Sequence, residues 1–305
     1  MASDSSKVSH NITSLEHQRS LPASSCIPWL IALSTECLAI VIFNIIAIIV
    51  FVKQPQLQRR SKYLIIHLAI VDLLVGAVSG PMQIHLRMAL CYGELESYDI
   101  TYLRINLAIR PFFPFASLVN LTFISLERAH ATYRPFKHRF IKKWVYGIFI
   151  ALIHLSTVCK GAIEGFTDWP FNYIWVGSSY FSLLVLICVS YISIAIKVHC
   201  SRRPQHHCAA GLRERKLTST LFFATCASLL TFVPVVIYES MIMYHIIAIP
   251  KFTLHFQISN TTLLLFLANS LINPISYAVR MPHVRAGISK VVFCKTPDNR
   301  INPLE

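Results

Sequence analysis

The sequence predicts an all-α membrane protein: a seven-transmembrane helix bundle followed by a short C-terminal amphipathic helix. Three observations support this fold class. Hydrophobic residues make up 54% of the 305 residues. Charged residues make up only 14%, whereas soluble domains carry about a quarter. Apolar stretches long enough to cross a bilayer recur along the whole chain. A soluble protein, a disordered tail and a disulfide-stapled secreted module are therefore excluded.

Each predicted span approaches the length of about 20 apolar residues that a helix needs to cross the hydrocarbon core. The spans are expected at 28–52, 63–86, 100–126, 144–163, 172–198, 217–247 and 253–279. The third and the seventh are the most polar, so their assignment depends on their spacing. Within the third span, Pro111 and Pro114 lie so close together that we expect them to distort the helix.

Most of the 28 Lys and Arg residues fall in the first, third and fifth connections and in the C-terminal tail. The positive-inside rule then places the N-terminus outside and the C-terminus in the cytoplasm. The expected layout is an extracellular tail at 1–27, a membrane domain at 28–281, and an amphipathic helix with a cytoplasmic tail at 282–305. Asn11 opens a glycosylation sequon on the predicted outer side. The net charge of +14 reflects this topology rather than nucleic-acid binding.

Polar residues inside the predicted spans form a pattern around Asp72, which lies mid-span. Ionisable residues inside a membrane are costly and functional by default. Asn269 and Asn273 step by four along one face of the seventh span, and Ser117 shares a face with Arg128 three turns away. One carboxylate and several neutral oxygens suit a small hard cation such as sodium. The alternative is a hydrogen-bonded polar core that only holds the helices together.

Charged residues also mark the predicted cytoplasmic end. Glu127 and Arg128 begin a basic stretch after the third span, and Glu214 opens the sixth span among basic neighbours. An ion pair between Arg128 and Glu214 would form a breakable latch between the two spans. Alternatively, Glu214 is an interfacial glutamate solvated among its neighbours. Surface ion pairs contribute about 0–1 kcal/mol, so such a latch would bias a conformational equilibrium weakly.

With these residues, the chain resembles the rhodopsin-like (class A) G protein-coupled receptors over roughly residues 28–294. The motifs that carry the resemblance are Leu68-Ala69-x-x-Asp72, Glu127-Arg128-Ala129, Pro234 in the sixth span, and Asn273-Pro274-Ile275-Ser276-Tyr277. Each motif is weak alone, but their order and their positions in the spans make the combination specific.

The resemblance implies roles for these positions. Asp72, with Ser117, Asn269 and Asn273, matches the sodium pocket of the family and is its carboxylate metal ligand. The activation switch and the G-protein contact would be formed by Glu127, Arg128, Tyr191, Glu214, Pro234, Pro274 and Tyr277. In that set Arg128 engages the G protein, and the sixth helix pivots at Pro234.

The chain also departs from the family pattern. Leu103 replaces the cysteine at the outer end of the third helix, and Leu183 replaces the proline of the fifth. The resemblance is therefore to the group that contains the melanocortin, cannabinoid, lysophospholipid and adenosine receptors. Cys26 and Cys91 both fall on the predicted outer side, where they either form a disulfide or remain separate thiols. Cys294 suits palmitoylation, although an ordinary free cysteine is the alternative.

The spacing of the family places the expected ligand-binding residues in the outer half of the bundle. They are Arg110, Pro114, Trp175, Phe232, Val235, Val236, Glu239, Leu263 and Leu267. Arg110 stands where amine receptors have Asp, and Leu267 where opsins have the retinal-binding Lys, so the resemblance excludes both classes. An arginine suits a carboxylate or a phosphate, which predicts an anionic or strongly polar small ligand with an apolar body. The alternative is an internal ion pair between Arg110 and an acid such as Glu239.

The sequence as a whole predicts a plasma-membrane receptor that couples an extracellular small-molecule ligand to a cytoplasmic heterotrimeric G protein. It is expected to be surrounded by membrane lipid, to bind no nucleic acid, and to use no cofactor beyond an allosteric Na⁺. One alternative is a receptor-like protein without independent G-protein signalling. A seven-helix transporter usually needs several paired acids, and the spans offer one deep acid, Asp72. An enzyme would need paired aspartates or a His-x-x-x-His motif in the spans, and neither pattern occurs there.

Overall fold

The computed structural model describes residues 22–53, 62–93, 99–109, 111–166, 171–200, 222, 226–228, 230–238, 241, 252–280 and 282–292. Throughout these residues the secondary structure is helical and contains no strand, as the sequence predicts. Five sequence-predicted site residues lie outside the described residues: Asn11, Arg110, Glu214, Glu239 and Cys294.

Five helices within the described part of the chain are long and apolar enough to cross a membrane. They form the first, second, fourth, fifth and seventh predicted spans. Four of them run without interruption over Ala23–Lys53, Lys143–Phe166, Phe171–Cys200 and Phe252–Arg280. The first helix thus begins before residue 28, where the sequence placed the start of the membrane domain. The described residues of the sixth span, 222, 226–228, 230–238 and 241, are helical as well.

The second span changes its helical register in the middle. Helix Lys62–Leu74 continues into a π-helical turn, Val75–Ser79, and then into helix Gly80–Tyr92. The backbone N–H of Gly80 donates to the carbonyl of Val75. Pro81 follows immediately, and a proline removes one backbone donor and crowds the carbonyl four residues earlier. The wider turn is a recognised way for a helix to absorb such a disturbance.

The third span is broken, as its prolines predict. It consists of helix Ile100–Ile109 and helix Phe112–Tyr133, and Pro111 forms the N-cap of the second helix. This second helix is the centre of the bundle, because it contacts the second, fourth, fifth and seventh spans. All of its residues from Pro114 to Thr122 are buried. A helix that is buried on all sides forms the core of a large bundle.

Two glycines let the first and second spans approach closely. A Cβ atom added at Gly76 would lie 2.9 Å from the carbonyl oxygen of Cys37 and 2.9 Å from a side-chain carbon of Ile40. A Cβ atom at Gly80 would meet the Cys37 sulfur. Small residues four positions apart are typical of close helix contacts in membranes.

A disulfide joins Cys26 of the first span to Cys91 of the second, with 6.1 Å between their Cα atoms. Phe256 of the seventh span packs against both cysteines, so three spans meet at this end of the bundle. At the other end, helix Pro282–Val292 follows the seventh span and packs on the first. Its Val284 is buried in the main hydrophobic core.

Candidate functional site

The Asp72 carboxylate is fully buried where the second, third and seventh spans converge. The Ser117 hydroxyl donates to Oδ1 at 2.7 Å, and the Ser270 hydroxyl donates to the same oxygen at 2.9 Å. The Asn273 amide donates to Oδ2 at 2.8 Å. The carboxylate thus accepts three hydrogen bonds from neutral side chains of the third and seventh spans. We call these four residues the Asp72 cluster.

Oxygen atoms without hydrogen-bond partners lie in and beside this cluster. Within the described structure, Asn44, Asn269 and Asn273 are buried, and the side-chain oxygen of each accepts no hydrogen bond. The Asn44 amide donates to the carbonyls of Ile40 at 2.9 Å and Ser270 at 3.1 Å, which fixes this side chain beside the seventh span. Buried polar atoms without a partner are rare and call for an explanation. Hard neutral oxygens near a carboxylate are ligands that small hard cations prefer.

The structure brings together three of the four residues predicted for a sodium pocket: Asp72, Ser117 and Asn273. The fourth, Asn269, is buried, but it is not among the described residues that donate to Asp72. Ser270 was missed, and the structure places its hydroxyl on the carboxylate. The sequence did contain a signal for Ser270, because it is a polar residue in the middle of a span, directly after Asn269.

Glu36 in the first span is half-buried, which corrects the expectation that Asp72 is the one deep acid of the spans. Across the described ranges, no three His, Cys, Asp or Glu side chains group closely enough to hold a metal ion. A cation at Asp72 would therefore depend on neutral oxygens for the rest of its ligands.

A second polar group, the Glu127 cluster, lies at the predicted cytoplasmic end and contains Glu127, Arg128, His138 and Tyr146. Nε and Nη2 of Arg128 both lie 2.6 Å from Oε2 of Glu127. His138 Nε2 lies 2.6 Å from Oε1, and the Tyr146 hydroxyl donates to Oε1 at 3.4 Å. Glu127 and Arg128 are both buried, so this is a charged pair held inside the protein.

The predicted latch between Arg128 and Glu214 lies outside the described residues at Glu214. Among the described residues, Arg128 pairs with Glu127, its neighbour in sequence. His138 and Tyr146 were missed by the sequence analysis. They reach Glu127 from the short helix Pro135–Arg139 and from the fourth span, so no local motif indicates the contact.

Of the remaining described switch residues, Tyr191, Pro274 and Tyr277 are buried and Pro234 is half-buried. The ring of Tyr277 contacts Phe51 of the first span, with 5.5 Å between ring centroids. The ring of Tyr191 lies 5.6 Å from that of Phe222 at the start of the sixth span. Each tyrosine thus has an aromatic neighbour on a different span. Pro274 lies inside the seventh helix, and Pro234 lies in the described part of the sixth.

The residues predicted to bind ligand separate into different surroundings. Phe232 is buried, with ring centroids 6.0 Å from Tyr180 and 5.5 Å from Phe266, and Val236 packs on the same core. Leu263 and Leu267 belong to a different hydrophobic cluster, formed with the first and second spans. Pro114 is buried in the third span, Val235 is half-buried, and Trp175 is 42% exposed. Because Arg110 and Glu239 lie outside the described residues, the structure describes only part of the predicted set.

Two basic residues missed by the sequence analysis lie in the half of the bundle away from the Glu127 cluster. Lys160 of the fourth span is only 4% exposed. Its Nζ lies 4.8 Å from the ring centroid of Phe115 and 5.2 Å from that of Tyr180. Arg87 of the second span donates to the hydroxyl of Ser259 at 2.9 Å. The position of Lys160 inside an apolar span could have indicated this site from the sequence.

Comparison with known proteins agrees with this arrangement. A family model described as "7 transmembrane receptor (rhodopsin family)" matches residues 43–277. The muscarinic acetylcholine receptor gar-3 of Caenorhabditis elegans is 30% identical over 98 residues, which cover 32% of this chain and 15% of that receptor. The histamine H4 receptor of Mus musculus is 38% identical over 64 residues, which cover 21% of this chain and 16% of that receptor. Both matches span less than a fifth of the relative's length.

Proposed function

The chain belongs to the rhodopsin family of seven-transmembrane receptors, so it is a multi-pass plasma-membrane G protein-coupled receptor and not an enzyme. We propose the following signalling mechanism for it. An extracellular ligand binds in the half of the bundle that holds Lys160 and Arg87. The binding shifts the receptor toward a state in which Arg128 engages a cytoplasmic heterotrimeric G protein. The excess of basic residues at the Arg128 end supports this orientation.

The observation that carries the proposal is the buried pair between Glu127 and Arg128. An arginine held at 2.6 Å by a buried carboxylate is unavailable to another protein until that contact breaks. Removing one partner of a buried ion pair leaves the other without its compensating charge. The pair therefore defines a resting state, and a ligand that favours its opening shifts the population.

The test is nucleotide exchange on each class of purified G protein, added to membranes that contain the full chain. Glu127→Gln removes the charge that holds Arg128, so we expect basal exchange to rise several-fold with one G-protein class. Adding Arg128→Ala to this variant should abolish the rise. Thr132→Ala is a matched control, because its hydroxyl donates only one turn back, to the carbonyl of Arg128. If surface expression is normal and no class responds to any variant, the proposal is wrong.

We further propose that the ligand is an anionic or strongly polar small molecule with an apolar body. Lys160 and Arg87 place positive charge in the ligand-facing half, and the aromatic rings of Phe115 and Tyr180 lie beside Lys160. Arg110, outside the described residues, adds a third cation in sequence. The two relatives are named for acetylcholine and histamine, but their matches are too short to extend those ligands to this chain.

A ligand of this class can be recognised by paired compounds. A carboxylate agonist found by screening should lose most of its potency as its methyl ester, because the ester no longer carries the charge. Arg110→Ala should lower its potency about tenfold or more, since charged hydrogen bonds contribute about 1.5–3 kcal/mol. Unchanged potency in Arg110→Ala would favour the internal ion pair with Glu239.

Finally, we propose that Na⁺ binds at the Asp72 cluster and acts allosterically. The Asp72 carboxylate, the Ser117 and Ser270 hydroxyls and the free asparagine oxygens would hold the ion. When bound, the ion supplies the positive charge that a buried carboxylate lacks among neutral donors. The residues themselves hold three spans together around it.

A further inference from the structure

The connection between the third and fourth spans carries exposed aromatic and basic side chains close together. We propose that this connection, residues 134–144, binds an anionic phospholipid of the cytoplasmic leaflet. Its lysines contact the phosphate groups of the lipid, and its aromatic side chains pack beside the glycerol and the first part of the acyl chains. The inference is independent of the proposed signalling mechanism.

The aromatic side chains of the connection are large and strongly exposed. Phe136 is 78% exposed, Phe140 is 81% exposed and Trp144 is 61% exposed. Ile141 packs against the main hydrophobic core and fixes the connection to the bundle, whereas its two neighbours, Phe140 and Lys142, are exposed. Single exposed apolar residues are common, but several large ones close together mark an interaction surface.

This surface continues the lipid-facing side of the fourth span. Trp144 is the second residue of helix Lys143–Phe166. Ile148, Leu152 and Leu155 follow it at steps of three or four residues and are also exposed, so these side chains form one stripe along the helix. Trp144 ends the stripe at the predicted cytoplasmic side, where tryptophan is enriched at the level of lipid headgroups. A lipid therefore reaches this surface without leaving the bilayer.

The charge of the connection suits an anionic partner. It contains five basic residues, Arg134, Lys137, Arg139, Lys142 and Lys143. The four of them whose side chains the structure describes are exposed. The sequence has no Asp or Glu between Glu127 and Glu164, and Glu127 is buried and bound to Arg128. Clusters of basic residues next to a membrane span attract anionic lipids of the cytoplasmic leaflet.

Two of these lysines are placed to contact lipid phosphates. Lys142 and Lys143 directly precede Trp144 in the chain, so they lie on the cytoplasmic side of the residue at headgroup level. A lysine extends its ammonium group to the interface while its methylene chain stays on apolar surface. The same two residues are therefore the ones to change in a test.

The experiment measures binding of dioctanoyl phosphatidylinositol bisphosphate to the full chain in a neutral detergent, by thermophoresis. Lys142→Gln together with Lys143→Gln should weaken binding about 25-fold, since each lysine near an anionic surface contributes about fivefold. Lys53→Gln together with Arg285→Gln is the matched control, because it removes two exposed positive charges elsewhere at the same end of the bundle. It should bind like the wild type. Equal weakening in the two double variants would mean diffuse attraction to positive charge and would overturn the site.

A soluble headgroup separates a lipid site from a site for free phosphates. Inositol trisphosphate should bind far more weakly than the lipid, because it has no chains to pack against Phe140 and Trp144. Trp144→Ala should weaken binding of the lipid and leave that of inositol trisphosphate unchanged. If inositol trisphosphate binds as tightly as the lipid, the surface recognises free phosphates and the inference is wrong.

A second measurement uses the unmodified chain, so it does not depend on how the variants fold. The chain is placed in phosphatidylcholine nanodiscs with or without phosphatidylinositol bisphosphate and is acetylated with an amine-reactive ester, and mass spectrometry follows each lysine. Lys142 and Lys143 should react several-fold more slowly when the anionic lipid is present, and Lys53 should react at the same rate. Protection by an added G protein but not by the lipid would assign the surface to a protein partner and overturn the inference.

Discussion

The Asp72 carboxylate has more capacity to accept hydrogen bonds than its neighbours use. An ionised carboxylate offers about four acceptor sites, and Ser117, Ser270 and Asn273 occupy three with neutral donors. Neutral donors do not cancel the charge of a group that lies fully inside a membrane. Adjacent asparagine oxygens meanwhile accept no hydrogen bond among the described residues. A bound cation would balance the charge of the carboxylate and would also give the asparagine oxygens a partner.

We therefore expect Na⁺ to stabilise the purified receptor through Asp72. The melting temperature of the wild type should rise when N-methylglucamine chloride is replaced by NaCl at constant ionic strength. The gain is about 2.7 kcal/mol when the ion is present at about 100 times its Kd. Asp72→Asn should melt at the same temperature in both salts. Ser79→Ala, which removes a buried hydroxyl elsewhere in the second span, should respond like the wild type. A sodium response that survives in Asp72→Asn would contradict the assignment.

The choice between Asn269 and Ser270 shows how far sequence can define this site. Asp72, Ser117 and Asn273 were predictable because polar residues in the middle of apolar spans are few. The stripe of every fourth residue in the seventh span favoured Asn269, and the structure places its oxygen without a bond. Ser270 and Asn273 are three apart, which is also a helical neighbour spacing. Which pair faces Asp72 depends on how the seventh helix is rotated, and that is fixed by packing.

At the scale of helices, the contact between the first and second spans depends on two glycines, which have no Cβ atom. Gly76 and Gly80 lie under the backbone and side chain of Cys37, which leaves no room for a methyl group. Helices in a membrane gain their association from close packing and hydrogen bonds rather than from the hydrophobic effect. A methyl group at this contact would therefore force apart the helices that carry Asp72 and Asn44.

We expect Gly76→Ala to lower the free energy of unfolding by about 1–3 kcal/mol, the usual cost of overpacking. Thermal unfolding in detergent measures this loss. Gly147→Ala is the matched control, because a Cβ there meets nothing within 4 Å and alanine favours a helix by about 1 kcal/mol over glycine. It should therefore be neutral or stabilising. Equal melting of the two variants would mean that the first and second spans are not in close contact at Gly76.

Prolines had different outcomes in two spans: the third span contains the close pair Pro111 and Pro114, and the second contains Pro81. Pro111 ends one helix and starts another in the third span, as predicted. Pro81 follows a π-helical turn, and the second span continues as a helix beyond this proline. In the second span, Gly76 and Gly80 lie close against the first span. A proline predicts a disturbance, but neighbouring helices decide its form.

The disulfide should matter for stability rather than for signalling. Cys26 and Cys91 enclose a separation of 65 residues, and removing a crosslink of this kind typically costs about 2–4 kcal/mol. Cys91→Ser should therefore lower the melting temperature, and Cys26→Ser together with Cys91→Ser should lower it no further. A reducing agent should have the same effect on the wild type and none on the double variant. If the two single losses add, the cysteines are not paired.

At the scale of the whole molecule, one helix connects the two polar clusters. Ser117 bonds to Asp72, and Arg128 is held by Glu127 on the same helix, 11 residues later and about 16 Å along its axis. Motifs in the sequence predicted residues of both clusters, and the sixth-span partner that they assigned to Arg128 lies outside the described residues. His138 and Tyr146 complete the Glu127 cluster from a short helix and the fourth span. These contacts depend on how the short helix and the fourth span pack against the third span, and local sequence patterns do not predict that packing.

Because one helix carries both clusters, we predict that Na⁺ and the G protein influence each other. If Na⁺ holds the spans around Asp72 in the state where Arg128 stays on Glu127, then NaCl should inhibit basal nucleotide exchange. By thermodynamic reciprocity, the G protein must weaken Na⁺ binding by the same factor. The NaCl concentration that halves exchange should therefore rise with the concentration of added G protein. Asp72→Asn should show no inhibition beyond that caused by N-methylglucamine chloride. A half-inhibiting concentration that does not move with the G protein would mean that the two clusters act independently, even though one helix carries both.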